Sequence, residues 1–298
     1  MIDLQTTRQN LEFHLQALTK TIGERSIATL WDHEKAAQYI EDIYKDIDVG
    51  SKRESYPFQK KTVSNIVADV VFGKGNAQVV LIGAHYDSVK GTVGADDNAS
   101  AIAVQLEVAR TLAGLRATEG LDLTVRFISF ALEEPPAYAT WAMGSRVYAR
   151  KAKKNKEQID GMICLEMVGY TCNQPGCQKY PFPLMFMGYP NRGDYIGIVG
   201  NYRSRKFTNT LFQSFKKNKA LPVEKLTVPG SGYLLPNIRL SDHAAFWDRG
   251  YNAVMITDTA FYRNPHYHRA SDTMDKLDFS FMTQLVHSLV QYFLSQGR

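Results

Sequence analysis

The sequence predicts an α/β fold, a three-layer α/β/α sandwich around a mixed, largely parallel sheet. Three observations predict it. Short apolar runs at residues 79–83, which is wholly apolar, and 253–257 read as strands of a largely parallel sheet. Segments with helically spaced apolar residues alternate with such runs. Acidic and histidine residues gather just after the strands, where open α/β sheets bind ligands.

In chain order, residues 2–20 place Ile2, Leu4, Leu11, Phe13, Leu15 and Leu18 at spacings compatible with a surface helix. A second helix follows over 32–47, giving an N-terminal helical segment across 1–50. The period then changes. Residues 64–72 are rich in Val and Ile, and both they and 79–83 read as strands. A helix over 98–115, a strand over 123–132, a helix over 141–154 and a strand over 159–167 come next. The Pro- and Gly-rich stretch 171–193 reads as loop. A short strand at 196–200, a helix at 207–219, a strand at 253–257 and an amphipathic helix at 281–295 complete the chain. With no internal repeat and no long linker, residues 1–298 are expected to form a single domain.

Apolar residues make up 44% and charged residues 22% of the 298, which excludes a disordered, collagen-like or disulfide-framework chain. A net charge of +5 is too small to imply a nucleic-acid partner. Lys151, Lys153, Lys154 and Lys156 end a helix, where cations suit the dipole, and read as a solvated face. Arg203, Arg205 and Lys206 precede a helix and read as surface, or else as a site for a substrate carboxylate. No apolar stretch approaches the roughly 20 residues of a membrane helix, and the N-terminus lacks the apolar core of a signal peptide. The expectation is a soluble, cytoplasmic protein with no membrane partner. Of three cysteines, Cys164 reads as a buried thiol. Cys172 and Cys177 flank Asn-Gln-Pro-Gly and could meet across a turn, with free thiols the default in a reducing compartment.

The chemistry lies at the strand ends. The first apolar run leads into His85, and Asp87, two residues on, can receive the second ring N–H and orient the imidazole, as carboxylates do behind metal ligands. Asp96 and Asp97 stand at the start of a helix, leaving one to cap and one to project elsewhere. Glu133 and Glu134 follow the next strand, and two adjacent carboxylates require a cation or a proton to compensate. Glu166 ends an apolar strand, where a carboxylate is costly unless paired or metal-bound. His266 and His268 follow the strand at 253–257, and their spacing does not decide which one is a ligand. This mixed His and carboxylate set fits zinc, with room for two ions bridged by a carboxylate. His14, His33 and His287 lie in helical segments and read as structural.

Six motifs in order carry a resemblance over residues 64–280: Gly83-Ala-His85-Tyr-Asp87-Ser, Gly94-Ala-Asp-Asp97-Asn-Ala-Ser, Glu133-Glu134, Glu166-Met-Val-Gly-Tyr, Ser241-Asp242-His243 and Asn264-Pro-His-Tyr-His268. They resemble the co-catalytic zinc exopeptidases that include bacterial leucyl aminopeptidases and glutamate carboxypeptidases. The resemblance implies that Asp97 bridges two zinc ions, with His85 and Glu166 completing one and Glu134 and His268 the other. It implies that Glu133 is the general base, taking a proton from a metal-bridging water and passing it to the leaving amine. Tyr267 matches a tyrosine that hydrogen-bonds the developing oxyanion in some relatives. Asp242 and His243 match residues behind the ligands or in the pocket, though Ser241-Asp242 also reads as a helix cap. Glu166 departs from the family, whose characterised aminopeptidases usually have Asp there.

The activity this implies is aminopeptidase-like hydrolysis of a peptide or small amide. Two alternatives are a single-zinc acyl transferase resembling glutaminyl cyclases, and a non-catalytic binding domain that has lost its metals. Retention of all five ligand positions and of Glu133 favours hydrolysis with two zincs. The aromatic-rich loop from Tyr180 to Tyr195, with Phe182, Phe186 and Tyr189, reads as a pocket rim or as packing under a long loop.

Overall fold

Eight strands join one mixed sheet in the computed structural model, which describes residues 2–75, 78–182, 185 and 187–296. They are β1 Ser51–Phe58, β2 Lys61–Phe72, β3 Val79–His85, β4 Leu123–Phe130, β5 Gly161–Glu166, β6 Ile196–Asn201, β7 Val223–Val228 and β8 Ala253–Thr257. The spatial order is β1-β2-β4-β3-β5-β8-β6-β7. The central four, β4-β3-β5-β8, run parallel, so their carboxyl ends share one edge. β2 and β6 flank them antiparallel, β1 is antiparallel to β2, and β7 is parallel to β6.

The helices are α1 Leu4–Gln16, α2 Leu30–Asp46, α3 Ala101–Ala113, α4 Gly144–Lys154, α5 Arg205–Phe215, α6 His243–Trp247 and α7 Phe279–Leu294. Strand side chains alternate between the two faces. Val80, Ile82, Ile163, Leu165, Val254 and Ile256 share one core with residues of α1, α2, α3, α5 and α7. Leu81, Cys164, Val199 and Met255 share the other with Tyr148 of α4 and Phe246 and Trp247 of α6. The expected three-layer sandwich is therefore present. Asp3 caps α1 by accepting from the N–H groups of Gln5 and Thr6, and Asp278 caps α7 through Phe281 N–H.

The differences from the expected elements have physical causes. β1 and β7 are edge strands, where charged residues such as Arg53 and Glu224 replace the continuous apolar run that marks a central strand. α6, at five residues, is too short to show a period. α3 starts at Ala101 rather than at residue 98. The Asn98 side chain instead joins β5, donating to Leu165 O and accepting from Met167 N–H. Cys172 and Cys177, whose pairing the sequence leaves open, form a disulfide across a turn that the backbone pairing of Cys172 with Gly193 anchors. The patch of Arg203, Arg205 and Lys206 follows the carboxyl end of β6. Because β6 is antiparallel to β8, that patch sits at the sheet edge opposite the strand-end acidic residues, and the substrate-carboxylate alternative is set aside. Among the described residues, no helix is long and apolar enough to cross a membrane.

Candidate metal centre

His85 ends β3 fully buried. Its Nε2 lies 3.4 Å from Asp97 Oδ1 and 3.5 Å from Glu166 Oε2. The second oxygen of Asp97 lies 3.2 Å from His268 Nε2, which is also 3.4 Å from Glu134 Oε2. Two groups result, His85 with Asp97 and Glu166, and Asp97 with Glu134 and His268; the potential ligand atoms of each lie within 4.8 Å of one another. Asp97 belongs to both. The structure thus brings together all five residues singled out as ligands, from four strand ends and one turn.

Each is held by its own scaffold. Asp87 lies behind His85, with Oδ1 3.3 Å and its backbone carbonyl 3.2 Å from the imidazole Nδ1. The same carboxylate accepts the backbone N–H of Glu133 and of Glu134, each at 3.0 Å, which fixes the turn after β4. The Asp97 turn is held by Asp272, whose two oxygens accept Asp96 N–H at 2.9 Å and Asp97 N–H at 3.1 Å. Ser241 Oγ donates to Glu166 Oε2 at 2.6 Å. Neither Asp96 nor Asp97 caps the helix. Asp96 instead accepts from Gly169 N–H and Asn264 Nδ2, tying the turn to the segments after β5 and β8.

Charge is out of balance in this cluster. Burial pushes the Glu133 carboxyl well up, and burial with neighbouring Asp97 pushes Glu134 up to about 8. Burial also raises Glu166. Burial opposes the charged form of Asp97, but the facing imidazoles of His268 and His85 outweigh it and hold the carboxyl far below its usual range. Burial likewise opposes charge on His268, yet Asp97 and Glu134 raise it to about 10. Carboxylates in this number with only two imidazoles require added positive charge. His85 Nε2, Asp97 Oδ2 and Glu134 Oε1 are moreover buried without a hydrogen-bond partner. Buried polar atoms in native proteins are nearly always satisfied. Orphans gathered in these two groups, with nitrogen and oxygen donors only, fit divalent cations of the zinc type.

The remaining singled-out residues divide clearly. Glu133 belongs to neither group, its carboxylate 4.0 Å from His85 Nε2. The Tyr267 ring stacks on His268, centroids 3.8 Å apart. His266 turns away, its Nδ1 2.9 Å from Ser271 Oγ. His14 pairs with the Tyr39 hydroxyl at 2.6 Å, and His33 packs on Tyr86. Asp242 stands at the N-cap position of α6 without capping it; it is fully buried, and burial pushes it up to about 7. His243 Nε2 donates to Ile238 O at 2.8 Å and is structural. Sequence reasoning missed the supporting roles of Ser241, Asn98 and Asp272. Their partners lie 67 to 176 residues away, so no local pattern could have found them.

A cleft of about 850 Å³, mouth included, opens from Glu166 and Tyr267 and is lined by Tyr180, Met185, Tyr189, Tyr195 and Phe261 among others. The aromatic loop therefore lines a pocket. Its Phe182 is 48% exposed and does not line the cleft, and Phe186 lies outside the described residues.

The model for peptidase family M28 matches residues 65–292. The uncharacterized protein YfbL of Escherichia coli K12 is 35% identical over 290 residues, covering 95% of this chain and 86% of its own. A probable leucine aminopeptidase of Arthroderma otae is 28% identical, over 93% of this chain and 69% of that one. The solved structure of LapA aminopeptidase from Legionella pneumophila superposes with a TM-score of 0.74 at 20% identity, over 97% of this chain and 72% of that one, a likeness of fold. With the family model spanning most of its length and its strand-end residues gathered at one edge of the sheet, the chain belongs to peptidase family M28.

Proposed function

We propose that the protein is a zinc-dependent aminopeptidase that removes N-terminal residues from peptides, using two zinc ions. The observation that carries this reading is the pair of ligand groups sharing Asp97, with a free carboxylate, Glu133, directly beside them. The name of the Arthroderma otae relative supports the same activity. His85, Asp97 and Glu166 would hold one ion, and Asp97, Glu134 and His268 the other. When bound, the ions would supply Lewis acidity that lowers the pKa of water and polarises the scissile carbonyl.

The chain's own residues do the rest. Glu133, pushed up by burial, accepts a proton from the attacking water and delivers it to the leaving amine. Tyr267, stacked on His268 and lining the cleft, donates its hydroxyl to the developing oxyanion. Asp87 acts through others, orienting His85 and the Glu133 turn. The presence of two ligand groups rather than one favours this reading over a single-zinc acyl transferase.

The test is a screen of zinc-loaded protein with aminoacyl-4-nitroanilides, carboxyl-terminal glutamate peptides and glutaminyl peptides. Aminoacyl-anilide hydrolysis, lost on chelation and restored by zinc, is expected. Hydrolysis of the carboxyl-terminal peptides alone, or cyclisation of glutaminyl peptides without hydrolysis, would overturn the proposal.

A further inference from the structure

The cleft beside the metal centre ends on a carboxylate. Across β5, β8, β6 and β7 the pairing forms one row: Glu166 opposite Thr257, Thr257 opposite Gly197, and Gly197 opposite Glu224. Directly paired residues project from the same face of a sheet. Glu224 therefore shares a face with Glu166, about 14 Å along it at the usual strand spacing of roughly 4.8 Å. Gly197 places no side chain between them. The neighbouring row of Met255, Val199 and Leu226 makes the floor apolar.

Glu224 is half-buried, and among the described residues no hydrogen bond or salt bridge reaches its carboxylate. Burial raises it, and only Lys216 lowers it from a distance. The two lysines along the cleft are engaged elsewhere. Lys225 Nζ lies 2.5 Å from Asn209 Oδ1 and over the Phe212 ring, towards α5, and Lys179 Nζ donates to Gly176 O at 2.9 Å. Tyr180, Tyr189 and Tyr195 are among the tyrosines that wall the cleft, and the hydroxyls of these three are committed. Tyr180 and Tyr195 are hydrogen-bonded to each other at 2.8 Å, and Tyr189 donates to Lys225 O at 2.9 Å. Glu224 lines the same cleft as these three tyrosines, and its negative charge adds to burial in raising all three phenols.

We propose that Glu224 is a specificity-determining residue, and that the cleft selects peptides whose N-terminal side chain is arginine or lysine. This rests on the aminopeptidase reading. With the scissile bond at the metal centre, a long side chain runs along the bare step at Gly197. Its stem lies on the apolar row, its cation meets the tyrosine rings, and its end makes a charge-assisted hydrogen bond to Glu224. A leucine side chain would cover the tyrosines and leave Glu224 desolvated without a partner, which disfavours it.

The test compares kcat/KM for arginyl-, lysyl-, norleucyl- and leucyl-4-nitroanilide on the zinc-loaded wild type and on Glu224→Gln. The arginyl-to-norleucyl ratio should be about tenfold or more in the wild type and fall about 10–100-fold in the variant, the scale of one lost charge-assisted contact. A ratio reports on the folded fraction alone, so a partly unfolded variant does not mimic the result. As a binding readout, free arginine should raise the wild-type melting temperature more than its neutral isostere citrulline. A wild-type ratio of one or less, or a ratio that Glu224→Gln leaves within twofold, overturns the inference while leucyl turnover leaves the aminopeptidase reading standing. Failure to hydrolyse any aminoacyl anilide overturns both.

Discussion

Asp87 and His85 face each other at 3.3 Å, and the same carboxylate holds the backbone N–H groups of Glu133 and Glu134. One side chain therefore sets the imidazole of one ligand group, the Glu134 ligand of the other and the proposed base. Asp87→Ala should disturb all three while touching neither metal nor substrate. Partners of this kind typically contribute 10–100-fold to metal affinity or activity. Zinc affinity by competitive chelation should fall by that factor; unchanged affinity with unchanged kcat would remove the positioning role.

Glu133→Gln should keep both zincs and lose turnover. The side chain lies outside both ligand groups, so removing its charge spares metal binding. The loss should fall on kcat, by roughly 10²–10⁴-fold, the usual contribution of a positioned base. Retention of near-normal kcat in a metal-replete variant would exclude Glu133 from proton transfer.

Glu166, where the family usually carries Asp, is expected to bind metal despite its extra methylene, because Ser241 and His85 hold its Oε2 within the first group. Glu166→Ala should lower zinc stoichiometry from two towards one, as should His85→Ala. Ser241→Ala should weaken zinc binding without abolishing it. Two zincs bound to Glu166→Ala at wild-type affinity would show that the longer carboxylate is not a ligand.

Much of this centre was legible in the sequence, because four of the five candidate ligands follow apolar runs, and such runs announce themselves, although the resemblance and not spacing chose His268 over His266. His85, the Glu133-Glu134 pair, Glu166 and His268 all follow strands that stand out from their flanks. The helix start at Asp97 was misjudged, since Asp272 and Asn98 hold that turn from distant segments. The cleft was legible only as an aromatic loop. Its floor depends on β7, an edge strand whose polar residues disguise it, and so Glu224 went unnoticed. Strand ends are local signals; the register that aligns Glu166 with Glu224 is not.

Two histidines away from the ligands give a pH signature. Burial lowers His33 to about 4 and His243 to about 3, against 6.5 for a free imidazole. Below pH 6.5 the unfolded chain takes up these protons while the folded chain does not, so each group removes stability as pH falls through this window. The slope is about 1.4 kcal/mol per pH unit per group. Between pH 6.5 and 4.5, His33→Gln and His243→Gln should each lose about 2–3 kcal/mol less than the wild type in urea unfolding with chelator present. Parallel pH profiles for wild type and variants would show that neither ring is held neutral.

The last prediction separates the members of the His266-Tyr267-His268 triplet. Spacing alone leaves both imidazoles as candidate ligands, and the structure places them differently. His268 Nε2 lies 3.2 Å from Asp97 Oδ2 and 3.4 Å from Glu134 Oε2, whereas His266 is engaged with Ser271 and packs edge-on against Tyr170. His268→Ala should therefore remove the second zinc. His266→Ala should keep both zincs and cost little, as changes to exposed loop anchors do. Tyr267 stacks on the His268 ring, so its hydroxyl is carried by the same turn that delivers the ligand. Tyr267→Phe preserves that stacking and deletes only the hydroxyl. It should keep both zincs and lower kcat by roughly 10²–10³-fold, the cost of one lost oxyanion donor. A fall in KM-dependent binding with kcat unchanged would make Tyr267 a wall of the pocket instead. Zinc loss in His266→Ala with none in His268→Ala would reverse the ligand assignment.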